Sequence, residues 1–208
     1  MMIFVMSRLL ILGCFLSVLQ IVKAQDAANV LEDIPFDYAT RHAIYDFDAN
    51  RLTNTDSIPE FQSKTTPLKL TGIVYQPDGI TPAKDVIVFI RHAGEQGKFD
   101  VRTQNDKRYV YHRGWVKTNA DGVYTFYTFI PGSYLHSKEL RRIHASVKAA
   151  GEAAYNLPDF IFNDDPFLSK HCRKRMRKKG VDCILTTVKK ETFYLAEKNI
   201  VLRAAEVE

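Results

Sequence analysis

The sequence predicts an all-β protein: an antiparallel β-sandwich with one short basic helix near the C-terminus. Three observations point there. From Leu68 onward, short runs rich in β-branched and aromatic residues recur, separated by turn residues. Two of them, Val116–Thr118 and Val123–Ile130, meet across Asn119-Ala120-Asp121-Gly122. Asp-Gly between such runs is a strong hairpin signal, because Gly takes positive φ at low cost. A single segment after Asn163 carries both the start and the stop signals of a longer helix. The 208 residues, 46% hydrophobic and 12% aromatic, suffice for one ordinary core.

The stretch 1–24 stands apart from that core. Arg8 precedes an almost wholly apolar run from Leu9 to Val22, and Val22-Lys23-Ala24 offers a small-residue cleavage site before Gln25. Charge, apolar run and cleavage site come in the order of a secretory signal peptide. A retained transmembrane anchor is the alternative, but the run falls short of a span of ~20 residues. Leu12-Gly13-Cys14 faintly suggests a lipoprotein signal, with too much of the apolar run lying after Cys14. The expectation is an exported chain, periplasmic or secreted, with no stable membrane span after cleavage. Its formal net charge of +5, less Arg8 and Lys23, becomes +3. That mild excess implies no nucleic-acid partner, and the aromatic strands with basic neighbours make no RNA-binding signature.

Residues 25–67 read as an irregular lead-in. Ala28 to Leu31 can make a helical turn, and Ile58-Pro59 and Thr66-Pro67 break any longer element. The sandwich domain is assigned to 68–208. Leu68–Tyr75 alternates apolar and polar residues as a first core strand, and Pro77-Asp78-Gly79 turns the chain. Val86–Ile90 is continuously apolar, as suits a buried central strand. A polar connection from Arg91 leads to the short aromatic strand Tyr109–His112. After the Asp-Gly turn, Pro131-Gly132 ends the long run, Ile143–Val147 forms another strand, and Asp159–Phe162 follows a loop. Ile184–Val188 and Asn199–Arg203 close the sheet.

The helix is expected to start at Asn163-Asp164-Asp165-Pro166, with Asp165 as N-cap and Pro166 in the first turn. It runs to about Lys179 and stops at Gly180. Its far end is strongly basic, which reads as a solvated face or as a contact for an anionic surface. With Cys14 removed, Cys172 and Cys183 are the remaining cysteines. In an oxidising compartment a disulfide between them is expected, with two free thiols as the alternative. Zinc is disfavoured because no second ligand pair sits at finger spacing. The sequence contains neither G-x-S-x-G nor H-E-x-x-H.

The stretch Arg113–Val147 resembles the intradiol ring-cleavage dioxygenases, the catechol- and protocatechuate-type non-haem ferric enzymes. Their block has the form T-D-x-x-G-x-Y-x-F-x-T-I-x-P-G-x-Y, followed by R-P-x-H-I-H. Thr118, Gly122, Tyr124, Phe126, Thr128, Ile130, Pro131, Gly132 and Tyr134 match the first part, and Ile143-His144 matches the end of the second. Gly72, Val74, Asp78, Gly79 and Pro82 fit the opening pattern of the same domain, a pattern shared with other sandwich modules. The resemblance covers about Leu68 to Arg203. It implies an intradiol-type sandwich, a ferric ion, and O₂-dependent cleavage of a catechol-type aromatic diol to a diacid. It also allows a homo-oligomer.

The family holds Fe(III) with two tyrosinates, two histidines and a hydroxide; hard anionic phenolates suit the trivalent ion. Carried over residue by residue, the resemblance places one tyrosinate at Tyr134 and one histidine at His144. The other histidine position holds Arg142, whose guanidinium has no free lone pair. The other tyrosine position, in Gly97-Lys98-Phe99, holds Phe99. The family arginine before H-I-H falls on Glu139, with Arg141 close by, and the family glutamine of T-Q-x-x-F falls on Asp159. Tyr109 or Tyr111 can be weighed as a replacement phenolate, and His92, His112 or His136 as a replacement imidazole. Arg142, Arg141 and Asp159 would then line the substrate pocket. Two functions follow: a ferric dioxygenase with a rebuilt ligand set, or a non-catalytic binding or structural module in which Arg142 pairs with a small anionic ligand.

Overall fold

The computed structural model describes residues 37–134 and 137–204. The expected signal peptide and His136 lie outside them. Residues 37–41 form a turn of their own, in which the N–H groups of Thr40 and Arg41 donate to the Asp37 carbonyl.

From His42 onward the elements in chain order are β1 (Thr55–Ser57), β2 (Pro67–Tyr75), β3 (Ile87–His92), β4 (Val101–Gln104), β5 (Lys107–Val110), β6 (Arg113–Lys117), β7 (Val123–Phe129), β8 (Arg142–Lys148), β9 (Tyr155–Asn156), β10 (Phe160–Phe162), α1 (Lys170–Lys178), β11 (Ile184–Leu185), β12 (Thr187–Lys189), β13 (Tyr194–Glu197) and β14 (Ile200–Val201). One sheet has the order β1-β7-β2-β13-β12, with β14 also on β2. The other has the order β11-β10-β8-β3-β6, with β9 on β8, and β4–β5 is a separate hairpin. The middle of each sheet is antiparallel, as expected: β2 pairs β7, and β3 pairs both β6 and β8. Four further pairs are parallel, β1–β7, β10–β11, β2–β13 and β2–β14, so both sheets are mixed.

The Asp-Gly turn is where sequence and structure part. Gly122 takes φ 69° and its N–H donates to the Asn119 carbonyl, as in a tight turn. Yet β6 pairs with β3 in one sheet and β7 with β2 in the other. The turn crosses between the layers and makes no hairpin. Val116 on β6 and Tyr124 and Phe126 on β7 all lie in one core cluster, so both strands serve the same interior from opposite walls. The hydrophobic pattern cannot tell that arrangement from a hairpin, because both give alternation about a turn.

The core between the sheets is built from Leu68, Leu70, Val74, Tyr124, Phe126 and Phe129 on one side and Val88, Ile90, Val116, Ile143, Val147 and Phe162 on the other. Burying each such side chain contributes roughly 1.5–3 kcal/mol. β3 is apolar on both faces for a reason: Ile87 and Phe89 form a second cluster with Ile44, and Trp115 packs against it. The lead-in therefore covers the outer face of this sheet, and β1 extends the other sheet beside β7.

Two expectations near the C-terminus are corrected. Helix α1 starts at Lys170 with Ser169 as N-cap, its side chain accepting from Cys172 N–H. Asp165 does not cap it. Buried Asp165 accepts instead from the N–H groups of Phe167 and Arg141, fixing the turn before the helix. Cys172 and Cys183 are free thiols, not a disulfide. Both pack in the small cluster under α1, where the Cys183 Sγ lies 3.9 Å from Met176 Sδ. Burial pushes the Cys183 thiol up, which keeps it protonated. Among the described residues, no helix is long and apolar enough to cross a membrane.

Tyr124 ties the first sheet to the chain between β13 and β14. Its ring is fully buried and its hydroxyl donates to the Lys198 carbonyl at 2.6 Å. Burial raises its pKa, so it stays a donor. Tyr124→Phe leaves that carbonyl unpaired and is expected to lower unfolding stability by about 1–2 kcal/mol, read from urea denaturation midpoints.

Candidate functional site

Two loops build the site. The chain leaving β3 turns through Ala93 to Phe99, and the chain leaving β7 turns through Pro131 to Tyr134. They interlock at glycines. A Cβ on Gly132 would lie 1.7 Å from the Glu95 carbonyl oxygen, and one on Gly97 would lie 2.1 Å from Tyr134 N. Gly97 also takes φ 73°, and Gly132 N–H donates to the Gly94 carbonyl at 3.1 Å. No side chain fits at either crossing, so Phe99 and Tyr134 are brought to one place.

Phe99, Tyr134, Glu139, Leu140, Arg142 and His144 line a cavity of about 250 Å³. Phe99 and Tyr134 are 46% and 47% exposed, so both rings are open to a ligand. The Phe99 ring lies over His144, with centroids 5.8 Å apart, and Lys98 Nζ sits 5.3 Å from the Tyr134 ring centroid. Arg142 and His144 both belong to β8 and lie two residues apart, hence on one face.

Asp159, at the entry to β10, joins them. Its Oδ1 accepts from His144 Nδ1 at 2.7 Å and its Oδ2 from Arg142 Nη1 at 3.3 Å. Partial burial pulls the Asp159 pKa up, but the His144 hydrogen bond and the charges of His144 and Arg142 outweigh it, leaving a net lowering. Asp159 is therefore a carboxylate at neutral pH. A carboxylate can only accept, so His144 carries its proton on Nδ1, and Nε2 is the ring nitrogen left for a ligand. Arg142 also donates from Nε to the Leu140 carbonyl at 3.4 Å.

The remaining sequence candidates lie elsewhere. Arg141 points away from its neighbour Arg142 and pairs with Asp164 and Asp165 at 3.0 and 3.3 Å. It braces the turn before α1 and does not line the cavity. Tyr109 is covered by Arg113, and Tyr111 lies under Arg102 at 3.1 Å. His92 is fully buried, with Nδ1 on the Ala93 carbonyl and Nε2 on Thr128 Oγ1, at 2.8 and 2.6 Å. Its two nitrogens are committed. His112 stacks on His92 with centroids 5.9 Å apart and has Glu60 at 3.6 Å. None of these four lines the cavity.

The cavity thus gathers one phenol and one imidazole of the set that the sequence motif implies. The other two positions are Phe99, which has no donor, and Arg142, a fixed cation. Among the described residues, no group of three or more His, Cys, Asp or Glu is placed to hold a metal. This residue set does not fit ferric iron. Sequence reasoning missed the partner of Asp159. The position was noted as a departure from the motif, but the pairing with His144 depends on the register of β10 against β8.

No family model matches the sequence, and no curated protein matches it. Solved structures do. The dioxygenase domain of a dioxygenase carbohydrate-binding protein fusion from Streptomyces sp. SirexAA-E superposes with TM-score 0.56 at 21% identity, over 72% of this chain and 87% of that one. The protein has the fold of the intradiol dioxygenases. An intradiol ring-cleavage dioxygenase from Tetranychus urticae matches over 76% of this chain and 90% of its own, at 18% identity and TM-score 0.56. Catechol 1,2-dioxygenase from Pseudomonas arvilla C-1 gives TM-score 0.58 at 16% identity over 75% of this chain. This chain spans 58% of that enzyme's length. At such identities the likeness is one of fold, and the intradiol-type sandwich here carries its own set of cavity residues.

The buried His92 makes the sandwich acid-sensitive. Burial, with smaller contributions from His112 and His144, lowers its pKa to about 4. An unfolded histidine titrates near ~6.5. Between those values the unfolded chain binds the extra proton, so stability falls as pH drops through this window. Unfolding free energies compared at pH 7 and 4.5 are expected to show a steeper loss in the natural chain than in His92→Gln, by up to about 3 kcal/mol at full protonation. Equal pH slopes would show that His92 is not buried neutral.

Proposed function

We propose that this intradiol-type sandwich binds a small aromatic anion in the Phe99–Tyr134 cavity and no longer holds a ferric centre. One observation carries the reading: Asp159 holds the Arg142 guanidinium and the His144 imidazole together at that cavity. A guanidinium is a poor neighbour for a metal cation and a good one for a carboxylate, which it can grip through two parallel N–H bonds. Its Nη1 donates to Asp159 and its Nε to the Leu140 carbonyl, and Nη2 is the nitrogen of the fork that neither contact uses. Phe99 and Tyr134 supply walls for one ring, and His144 Nε2 is the ring nitrogen that can hydrogen-bond a polar substituent of that ring. A volume of about 250 Å³ suits a single-ring molecule. The apolar leader at 1–24 supports an exported protein, periplasmic or secreted.

The second reading is a ferric enzyme acting on a catechol-type diol. Its support is that Tyr134 and His144 line the same cavity in a dioxygenase-type fold. Titration calorimetry with benzoate and with catechol separates the two. On the first reading benzoate binds, and Arg142→Ala weakens it tenfold or more, about 1.4 kcal/mol, while catechol is little affected. Unchanged benzoate affinity in Arg142→Ala, or preferential binding of catechol with O₂ uptake, would reject it.

A further inference from the structure

Helix α1 is densely cationic, and the cavity chemistry makes no use of it. Seven Lys and Arg residues fall between Lys170 and Lys179, and the sequence has no acidic residue between Asp165 and Asp182. Lys170, Lys174 and Lys178 form one i, i+4 row and Arg173 and Arg177 another, so like charges face each other along the helix and work against it. Helix-end cations are favourable only within the last turn. Here they begin in the first. Among the described residues none of them has a carboxylate partner; Arg173 donates to Asn163, a neutral residue.

The apolar stripe of the helix, Cys172 and Met176, packs on the cluster with Ile161, Leu168 and Cys183. That stripe is spent on the protein's own core. Within α1 the cations cover an arc of roughly 200° of the circumference at 3.6 residues per turn. Beside the helix runs a groove of about 430 Å³ with Asn163, Arg173, Arg177 and Asp182 among its walls. Asp182 is engaged by Lys198 at 2.6 Å, and Asn163 fixes Arg173, which leaves Arg177 open in the groove.

We infer that α1 and this groove bind a linear acidic polysaccharide, a chain bearing sulfate or carboxylate groups at sugar-unit intervals. One anionic group would sit at Arg177, beside the Asn163-held Arg173, and the following groups would meet the outer lysine row. Charge complementarity alone would suit any polyanion, and three features narrow it. An amphipathic helix that inserts into a bilayer needs an apolar face, and here that face is turned inward, which leaves a bilayer only surface charge to bind. A flat surface meets at most half of a helix, whereas a flexible chain can follow a wider arc. Single-stranded nucleic acid needs aromatic platforms, and α1 contains none.

The test uses the full chain with heparin and polygalacturonate as probes, neutral dextran as the blank, and a DNA duplex and phosphatidylserine vesicles as competitors. The expected result is binding to an acidic polysaccharide that weakens severalfold as salt rises from 50 to 200 mM, since the contact is charge-driven. The triple variant Lys174→Gln, Arg177→Gln, Lys178→Gln should lose tenfold or more while its thermal unfolding stays the same or rises, since like-charge repulsion is relieved. Lys189→Gln with Lys190→Gln, exposed elsewhere, should lose less than twofold. Arg142→Ala should bind the polymer as the natural chain does, which keeps this surface separate from the cavity reading. Absence of polysaccharide binding, an equal loss in the Lys189/Lys190 variant, or tighter binding to the duplex or the vesicles would overturn the inference.

Discussion

The whole molecule depends on the burial of β3 on both faces. Val88 and Ile90 face the inter-sheet core, while Ile87 and Phe89 face the lead-in cluster around Ile44. A strand held on two sides has one admissible register, because a slip of one residue would exchange its two apolar sets between differently shaped pockets. That fixed strand delivers His92 to its buried pair with Thr128 and hands the chain on to the loop that ends at Phe99. It also sets β8 alongside, with Arg91 opposite His144 and His92 opposite Ile143. The position of the cavity follows from the packing of one strand.

Within that frame the cavity is governed by charge. Ferric iron asks for anionic or lone-pair donors on every side, and the resemblance in sequence implies four positions to supply them. This chain fills one with a hydrocarbon ring and one with a permanent cation. Asp159 then answers the cation and orients His144 at the same time. The three residues form a self-consistent unit: a carboxylate between two positive or polarisable groups, held on β8 and at the start of β10. Phe99 offers no donor and Arg142 no lone pair, so two of the four positions cannot ligate a metal.

Much of this was legible in the sequence, and the failures have physical causes. The strands with strong alternation or continuous apolar character, β2, β3, β7 and β8, are where the pattern placed them. Strands that owe their pairing to neighbours rather than to their own composition, such as β1 and β13, left no local signal. The Asn119–Gly122 turn has the right chemistry for a hairpin, yet its two strands part into different sheets, a choice made by the core and not by the turn. Asp165 reads as a helix cap by spacing; the tertiary bonds to Arg141 claim it first. The departures from the motif at Phe99 and Arg142 were visible residue by residue. The pairing of Asp159 with His144 was not, since 15 positions separate them along the chain and only strand register brings them together.

The central claim is that Arg142 and Phe99 close this cavity to ferric iron. The most direct measurement is the visible spectrum and bound-metal content of the protein after loading with Fe(III), set beside the double variant Arg142→His, Phe99→Tyr. The natural chain is expected to take up no stoichiometric iron and to show no broad tyrosinate-to-iron band, while the double variant gains both. Near-stoichiometric iron and a tyrosinate band in the natural chain would contradict the account, and would mean that the ligand set is completed by residues outside the cavity described above.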